Sequence, residues 1–232
     1  DAGEIAFAPT DFNPNDPSCD WTDITMASVT TNPATLNVLT AATTYYARVR
    51  ANCGGGDYSE WSTATLSFTT ACADITTLPW TENFESLSTN TVPTCWDNTA
   101  STAQEITSHP DYIWGVYENS SNKMIRMHNY LVHEGTALIN TQTITLPSSE
   151  DYELTFDYSH RADCDAFTVK ISTDGGANFT DLQQYTSTST SYNYTEPGTF
   201  TAATVSLAGY TGDIILQFFS NDPEMNNLLD VI

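Results

Sequence analysis

Apolar residues recur at every second position in this chain, in short runs that break off at Gly, Pro, Asn, Asp or Ser. Glu4-Ile5-Ala6-Phe7-Ala8 alternates, and so does Thr35-Leu36-Asn37-Val38-Leu39. Tyr45-Tyr46-Ala47-Arg48-Val49-Arg50-Ala51 sets Tyr46, Arg48 and Arg50 on one face and Tyr45, Ala47, Val49 and Ala51 on the other. The same period runs through Thr143-Ile144-Thr145-Leu146, Tyr152-Glu153-Leu154-Thr155-Phe156-Asp157-Tyr158, Phe167-Thr168-Val169-Lys170-Ile171, Ala203-Thr204-Val205-Ser206-Leu207 and Ile214-Ile215-Leu216-Gln217-Phe218. A period of two is the side-chain period of a strand. No capped amphipathic helix interrupts it, and Gln104 to Ser108 supplies a single turn at most. The pattern predicts an all-β fold with the strand-and-turn rhythm of β-sandwiches.

Composition agrees. Thr, Ser, Asn, Asp and Tyr are abundant, as strands and turns require. With 40% hydrophobic and 12% aromatic residues the chain can build a core despite its charge. That charge excludes whole classes of partner. Against 29 acidic residues stand 6 Lys and Arg, a net of -23, so no basic stripe exists to displace counterions from nucleic acid. An anionic membrane surface would repel the chain, and no run nears the roughly 18 apolar residues of a spanning helix. No basic leader followed by an apolar core opens the sequence, which places any signal peptide outside it. The periodicity lapses between about residues 70 and 80. Two domains are therefore expected, residues 1–70 and 79–232, joined by a linker over 71–78.

In the first, Leu39-Thr40-Ala41-Ala42-Thr43-Thr44-Tyr45-Tyr46-Ala47-Arg48-Val49 resembles the Leu-x-x-x-Thr-x-Tyr-x-x-x-Val segment of fibronectin type III domains. The resemblance implies an Ig-like sandwich in which a Leu ends strand E and Tyr45 ties the E–F turn to the sandwich. It places strand C at residues 4–9, strand C′ at 20–25 with Trp21, the F–G loop at 54–62 and the last strand at 65–70. Strands A and B are missing from that scheme, so residues 1–70 are expected to be a partial domain that continues upstream, its apolar face exposed where a sheet is incomplete.

The second domain opens with Leu78-Pro79-Trp80-Thr81-Glu82-Asn83-Phe84-Glu85, then Pro93-Thr94-Cys95-Trp96. Ala137-Leu138-Ile139, Val169-Lys170-Ile171-Ser172-Thr173-Asp174-Gly175-Gly176, Leu207-Ala208-Gly209-Tyr210-Thr211-Gly212 and Leu229-Asp230-Val231-Ile232 follow in order. This series resembles the MAM-like, cleaved-adhesin jelly-roll domains of Bacteroidetes surface proteins. The resemblance implies a jelly-roll sandwich whose chain ends meet, where a calcium ion can act as a structural staple. Calcium wants hard oxygen ligands. The candidates are Glu82 and Glu85 on the first strand, Asp97 after Trp96, and Asp230 on the last strand. The bland reading makes them solvated strand-face and turn residues. Asp97-Asn98-Thr99-Ala100 also departs from the acidic, Gly-rich stretch that the family has there.

Aromatic residues suggest ligand contacts, because exposed rings stack on sugar faces. Tyr112, Trp114, Tyr117 and Tyr130 cluster in sequence, and Tyr185, Tyr192 and Tyr194 lie in a Ser/Thr-rich stretch expected to be a loop. Trp114, Tyr192 and Tyr194 are the candidate ligand-binding residues; the competing reading is core packing for Trp114 and decoration for the tyrosines. Ser172-Thr173-Asp174-Gly175-Gly176-Ala177-Asn178-Phe179 matches the hairpin box of sialidase propellers and is read as structural. Asp163-Cys164-Asp165 could hold a ligand or sit in a solvated turn. Catalytic patterns are thin. His133-Glu134 lacks a second His, and His109, His128 and His160 share no metal or triad spacing. No catalytic residue is assigned, and no enzyme is expected.

The cysteines are Cys19, Cys53, Cys72, Cys95 and Cys164. The odd number fits a partial domain. Cys53 is the residue that, by the resemblance, would pair upstream. Cys72 and Cys95 flank the first strand of the second domain and are the expected intact pair, other connectivities remaining open. Sequons stand at Asn119, Asn178 and Asn193. An oxidising, extracellular setting is expected. The combined expectation is a non-catalytic piece of a large modular adhesin, secreted or on an outer cell surface. The resemblance further implies type IX secretion. Its partners would be glycan or protein on another surface and other domains of the same long chain. The alternatives are a carbohydrate-binding accessory module of a secreted glycosidase or peptidase, and a purely structural spacer in a stalk or filament.

Overall fold

The computed structural model describes residues 2–99, 114–119, 122–128, 135–160, 166–186, 200–222 and 228–231. They fall into two compact units, Asp1–Ala73 and Asp74–Ile232. Both are built of strands and turns, with no helix among the described residues. The turn suggested for Gln104 to Ser108 lies outside those residues.

The first unit holds β1 (Gly3–Ala8), β2 (Thr25–Val29), β3 (Thr44–Gly54), β4 (Asp57–Tyr58) and β5 (Leu66–Thr69) in one antiparallel sheet. Its order is β2-β1-β3-β4, and β5 also pairs with β3. The register sets Ile5 opposite Val49 and Ala27, Phe7 opposite Ala47, and Tyr45 opposite Phe68. Residues in direct register share a face, so the predicted alternation becomes a single apolar surface. Phe7, Tyr45 and Ala47 are buried there, with Ile5, Ala27, Leu36, Leu39 and Phe68 packed against them. Val49 and Leu66 lie on the same face and are exposed.

Two expectations need correction here. Residues 35–39 are not a strand. Leu36 and Leu39 both reach the small core while Val38 between them is 73% exposed, a spacing that strict alternation cannot give. The strand expected over 20–25 begins instead at Thr25, because side-chain-capped turns occupy the preceding residues. Asp16 Oδ1 accepts the Ser18 amide at 2.8 Å and hydroxyl at 2.7 Å. Asp20 Oδ1 accepts the Thr22 amide at 2.9 Å and hydroxyl at 2.6 Å. Such local bonds compete with a ladder and hold the backbone in turns.

The second unit is a two-sheet sandwich. Its strands are β6 (Gly115–Asn119), β7 (Asn122–His128), β8 (Gly135–Asn140), β9 (Ile144–Leu146), β10 (Glu153–His160), β11 (Phe167–Ser172), β12 (Thr180–Tyr185), β13 (Thr201–Ser206), β14 (Gly212–Asp222) and β15 (Leu228–Val231). One sheet runs β13-β10-β15-β7-β6 and the other β12-β11-β14-β8, with β9 also paired to β14. The long β14 carries β9 along its first residues and β8 along its last. Both sheets feed one core cluster, including Ile125, Phe156 and Val205 from the first and Ile139, Phe167, Val169 and Phe218 from the second. A second cluster gathers Ile75, Ile144, Leu146, Ile171, Leu207, Ile214 and Leu216. Burying a side chain of this size stabilises by about 1.5–3 kcal/mol each.

The segment read as a linker, 71–78, includes Ile75, which is buried in that second cluster. Its amide donates to Thr143 O and its carbonyl accepts from Thr145 N, both at 2.9 Å, a parallel bridge to Ile144. Tyr185, expected in a loop, ends β12 and packs its ring 5.0 Å from Phe167 and 4.9 Å from Tyr158. Burial raises its phenol pKa, with the neighbouring Tyr158 adding to the effect.

Candidate functional site

The three described carboxylates of the expected calcium set are each taken by local partners. Glu82 Oε1 accepts the Phe84 amide at 2.7 Å. Glu85 Oε1 accepts the Lys123 amide at 3.1 Å, while Lys123 Nζ donates to the carbonyls of Glu85 and Leu87 at 3.1 and 2.6 Å. Asp97 Oδ1 takes the Thr99 amide at 2.8 Å and hydroxyl at 2.6 Å. Asp230 lies on β15, its backbone in register between Ser159 and Arg126. No three His, Cys, Asp or Glu side chains gather among the described residues, so Glu82, Glu85 and Asp97 do not form one cradle.

Of the aromatic candidates, Trp114 is overturned as a stacking surface. It is 1% exposed, its ring sits 6.4 Å from Phe218, and it belongs to the central core. Sequence proximity to Tyr112 and Tyr117 said nothing about which way it faced. Tyr117 carries the Arg126 guanidinium 3.6 Å above its ring. Tyr112, Tyr130, Tyr192, Tyr194 and the Asp163-Cys164-Asp165 loop lie outside the described residues.

The hairpin box has the geometry read for it. Asp174 accepts from Ser172 Oγ at 2.7 Å, from the Asn178 amide at 2.9 Å and from Asn178 Nδ2 at 2.7 Å. Gly175 and Gly176 adopt φ of 72° and 88° to make the turn. Cys72 and Cys95 are disulfide-bonded, and Cys19 and Cys53 are free.

A different aromatic cluster, not picked out in the sequence, assembles on the first unit. β1 and β3 place Glu4 directly opposite Arg50. The Arg50 guanidinium lies 4.2 Å from the Tyr58 ring centroid and 4.6 Å from that of Trp61, and Arg50 Nε donates to Glu4 Oε2 at 2.7 Å. Trp61 meets Trp21 at 6.0 Å, with the planes tilted by 47°. A cation over a ring face adds about 0.5–1 kcal/mol at an exposed site.

Two serines strap the ring-bearing segment to β3. Ser59 Oγ accepts the Ala51 amide at 2.9 Å, Ser62 Oγ accepts the Val49 amide at 3.2 Å, and the serine amides donate back to Ala51 O and Val49 O. Asn15 clamps Trp61 from the other side through a reciprocal pair at 3.1 and 3.2 Å. Arg48, buried, donates to the carbonyls of Phe12, Ser62 and Thr63 at 2.8 to 3.1 Å. The outer rungs remain open: Trp21 is 40% exposed and Tyr58 39%. The sequence signal was available in Arg48 and Arg50 on one strand face and in Tyr58-Ser59-Glu60-Trp61-Ser62 just beyond.

Fold and site together define the class: an acidic all-β protein that presents exposed rings on a rigid sheet scaffold. Among solved structures, the chain is similar to the K1 cleaved adhesin domain of Lys-gingipain from Porphyromonas gingivalis W83, at 20% identity over 65% of this chain and 92% of that one, TM-score 0.46. It is also similar to the K2 cleaved adhesin domain of Lys-gingipain, at 14% identity over 66% and 96%, TM-score 0.47. A third neighbour is the module TmCBM61 in complex with beta-1,4-galactotriose, at 12% identity over 59% and 83%, TM-score 0.39. No family model matches the chain, and no curated protein matches it.

Proposed function

We propose that this chain is a non-catalytic binding piece of an extracellular or cell-surface adhesin, and that it engages glycan through the aromatic cluster of its first unit. The observation that carries this reading is the pair of exposed rings, Trp21 and Tyr58, flanking Trp61 and Arg50. An indole or phenol face offers apolar area to the C–H face of a sugar, and Asp20, next to Trp21 in sequence, supplies a carboxylate for hydroxyls. The serine straps fix the segment that carries Tyr58 and Trp61 before any ligand arrives, which lowers the ordering cost of binding.

The oxidised state of Cys72 and Cys95 supports the extracellular setting. The strand order and the Tyr45 corner support reading the first unit as the latter part of a fibronectin type III domain. The chain's acidity supports a calcium staple in the second unit, though not one built on Glu82, Glu85 and Asp97 together. An unchanged melting temperature in millimolar calcium overturns that staple.

A glycan array probed with the purified chain tests the main reading. We expect saturable binding to at least one glycan class and its loss in Trp21→Ala and Tyr58→Ala, with the circular dichroism unchanged. Binding that survives both substitutions, or no glycan bound at all, overturns it in favour of a spacer.

A further inference from the structure

The aromatic cluster of the first unit has acidic residues beside its rings and no cation to spare. Asp20 precedes Trp21, Asp57 precedes Tyr58 and Glu60 precedes Trp61, and all three acidic residues are exposed. Adjacent Cα atoms stand about 3.8 Å apart, well within the roughly 10 Å over which charge acts at about 0.1 M salt. Asp20 is ionised at neutral pH. The Thr22 hydroxyl and amide, both donating to its Oδ1, hold its pKa below the usual carboxylate value.

Residues 1–73 contain eight Asp and Glu, two Arg, and no Lys or His. Both arginines are committed. Arg48 is buried, donates to the carbonyls of Phe12, Ser62 and Thr63, and lies 3.6 Å from Asp11. Arg50 is ion-paired with Glu4 at 2.6 Å, and its guanidinium lies over the Tyr58 and Trp61 rings. The rest of the chain does not reverse the sign, since it holds 21 of the 29 acidic residues and 4 of the 6 basic ones. An acidic sugar carries a carboxylate, sulfate or phosphate that loses hydration when the sugar settles on a ring. Arg and Lys offset that loss with charge-assisted hydrogen bonds, and none is free here to do so. The acid group would meet Asp20 instead, at a cost of about 1 kcal/mol at 4 Å even in water. A neutral sugar meets no such opposition, and its hydroxyls can donate to the same carboxylate.

We propose, resting on the glycan reading of this cluster, that the sugars it takes are uncharged. Asp20 sets the preference by repelling sulfated, phosphorylated, uronic and sialic sugars at the edge of the Trp21 ring.

The test probes an array of matched pairs with the full 232-residue chain. Neutral oligosaccharides of several sugar classes stand beside the same oligosaccharides bearing one sulfate, and oligogalacturonate stands beside its methyl ester. We expect binding to uncharged members and about tenfold weaker binding to their acidic counterparts. The gap should narrow when NaCl is raised from about 0.05 to about 0.5 M, because salt screens repulsion. Asp20→Asn should narrow it by roughly threefold. An Asn there can still accept the Thr22 amide and hold the turn. An acidic member that binds as tightly as its neutral partner overturns the proposal. If Trp21→Ala abolishes that binding the glycan reading stands, and if the binding survives the substitution that reading falls too. A gap that neither salt nor Asp20→Asn changes overturns the proposal alone, whereas binding to no member of any pair overturns both.

Discussion

Glu4 and Arg50 face each other across β1 and β3, and the Glu4 Oε2 atom lies 2.6 Å from an Arg50 guanidinium nitrogen. The pair is largely screened from water, with side-chain exposures of 14% and 25%. Its role is positional. Arg50 is held over the Tyr58 and Trp61 rings by a partner fixed in sheet register, which ties the rings to the strands.

Replacing Glu4 by Gln should therefore cost about 1–2 kcal/mol, the range for a hydrogen bond to a charged group discounted for partial exposure. Urea unfolding followed by tryptophan fluorescence measures it. Arg50→Lys keeps the charge but loses the planar stack, and should destabilise by a similar amount. A loss below about 0.3 kcal/mol in both variants would show that the rings hold themselves.

The Tyr45 hydroxyl accepts the Thr40 amide at 3.0 Å, five residues upstream, from a ring that is buried between Phe7 and Phe68. Tyr45→Phe removes only that oxygen. Thr40 is exposed, so water can take over its amide and the expected loss is about 1 kcal/mol. The same unfolding measurement reports it, and a variant as stable as the parent would mean that the corner bond contributes nothing.

The Tyr45–Thr40 bond was implied by the resemblance of residues 39–49 to a fibronectin type III segment, a pattern local in sequence. Strands β1, β3, β10, β11 and β13 were legible for the same local reason, a period of two. What sequence could not resolve depended on which groups meet across distance. Leu36 and Leu39 reach one core from an irregular segment, and Trp61 folds back on Arg50, eleven residues earlier, through two serine straps. Trp114 shows the converse: a ring beside other aromatic residues in sequence that the second unit buries among residues from both sheets. Periodicity reports the face a residue occupies, not whether a second layer covers that face.

Ile75 carries that lesson into a measurement. A linker residue should tolerate truncation, whereas Ile75 is packed with Ile144, Leu146 and Ile214 and bridges β9 through both its backbone groups. Ile75→Ala is expected to destabilise the second unit by about 3 kcal/mol, within the roughly 2–5 kcal/mol seen for buried Ile or Leu truncations. Differential scanning calorimetry checks this. A shift no larger than that of a surface substitution would return residues 71–78 to the status of a free connector.

Acid should loosen the β11–β12 hairpin through Asp174. Its carboxyl is held down to about 2 by the side chain and amide of Asn178 and by the Ser172 hydroxyl, against a small opposing effect of desolvation. An unfolded Asp titrates near 4. A carboxylate whose pKa is lower in the folded state stabilises fully above the unfolded value, and that contribution is lost as pH falls from about 4 towards 2. The difference in melting temperature between the parent and Asp174→Ala should therefore be constant from pH 7 to about 5 and shrink steadily below 4. The net charge of -23 differs by only one unit between the two proteins, so general charge effects of acid cancel in the difference. A gap that stays constant down to pH 2.5 would mean that Asp174 shapes the turn without its charge contributing, and that the two glycines, Gly175 and Gly176, carry the hairpin alone.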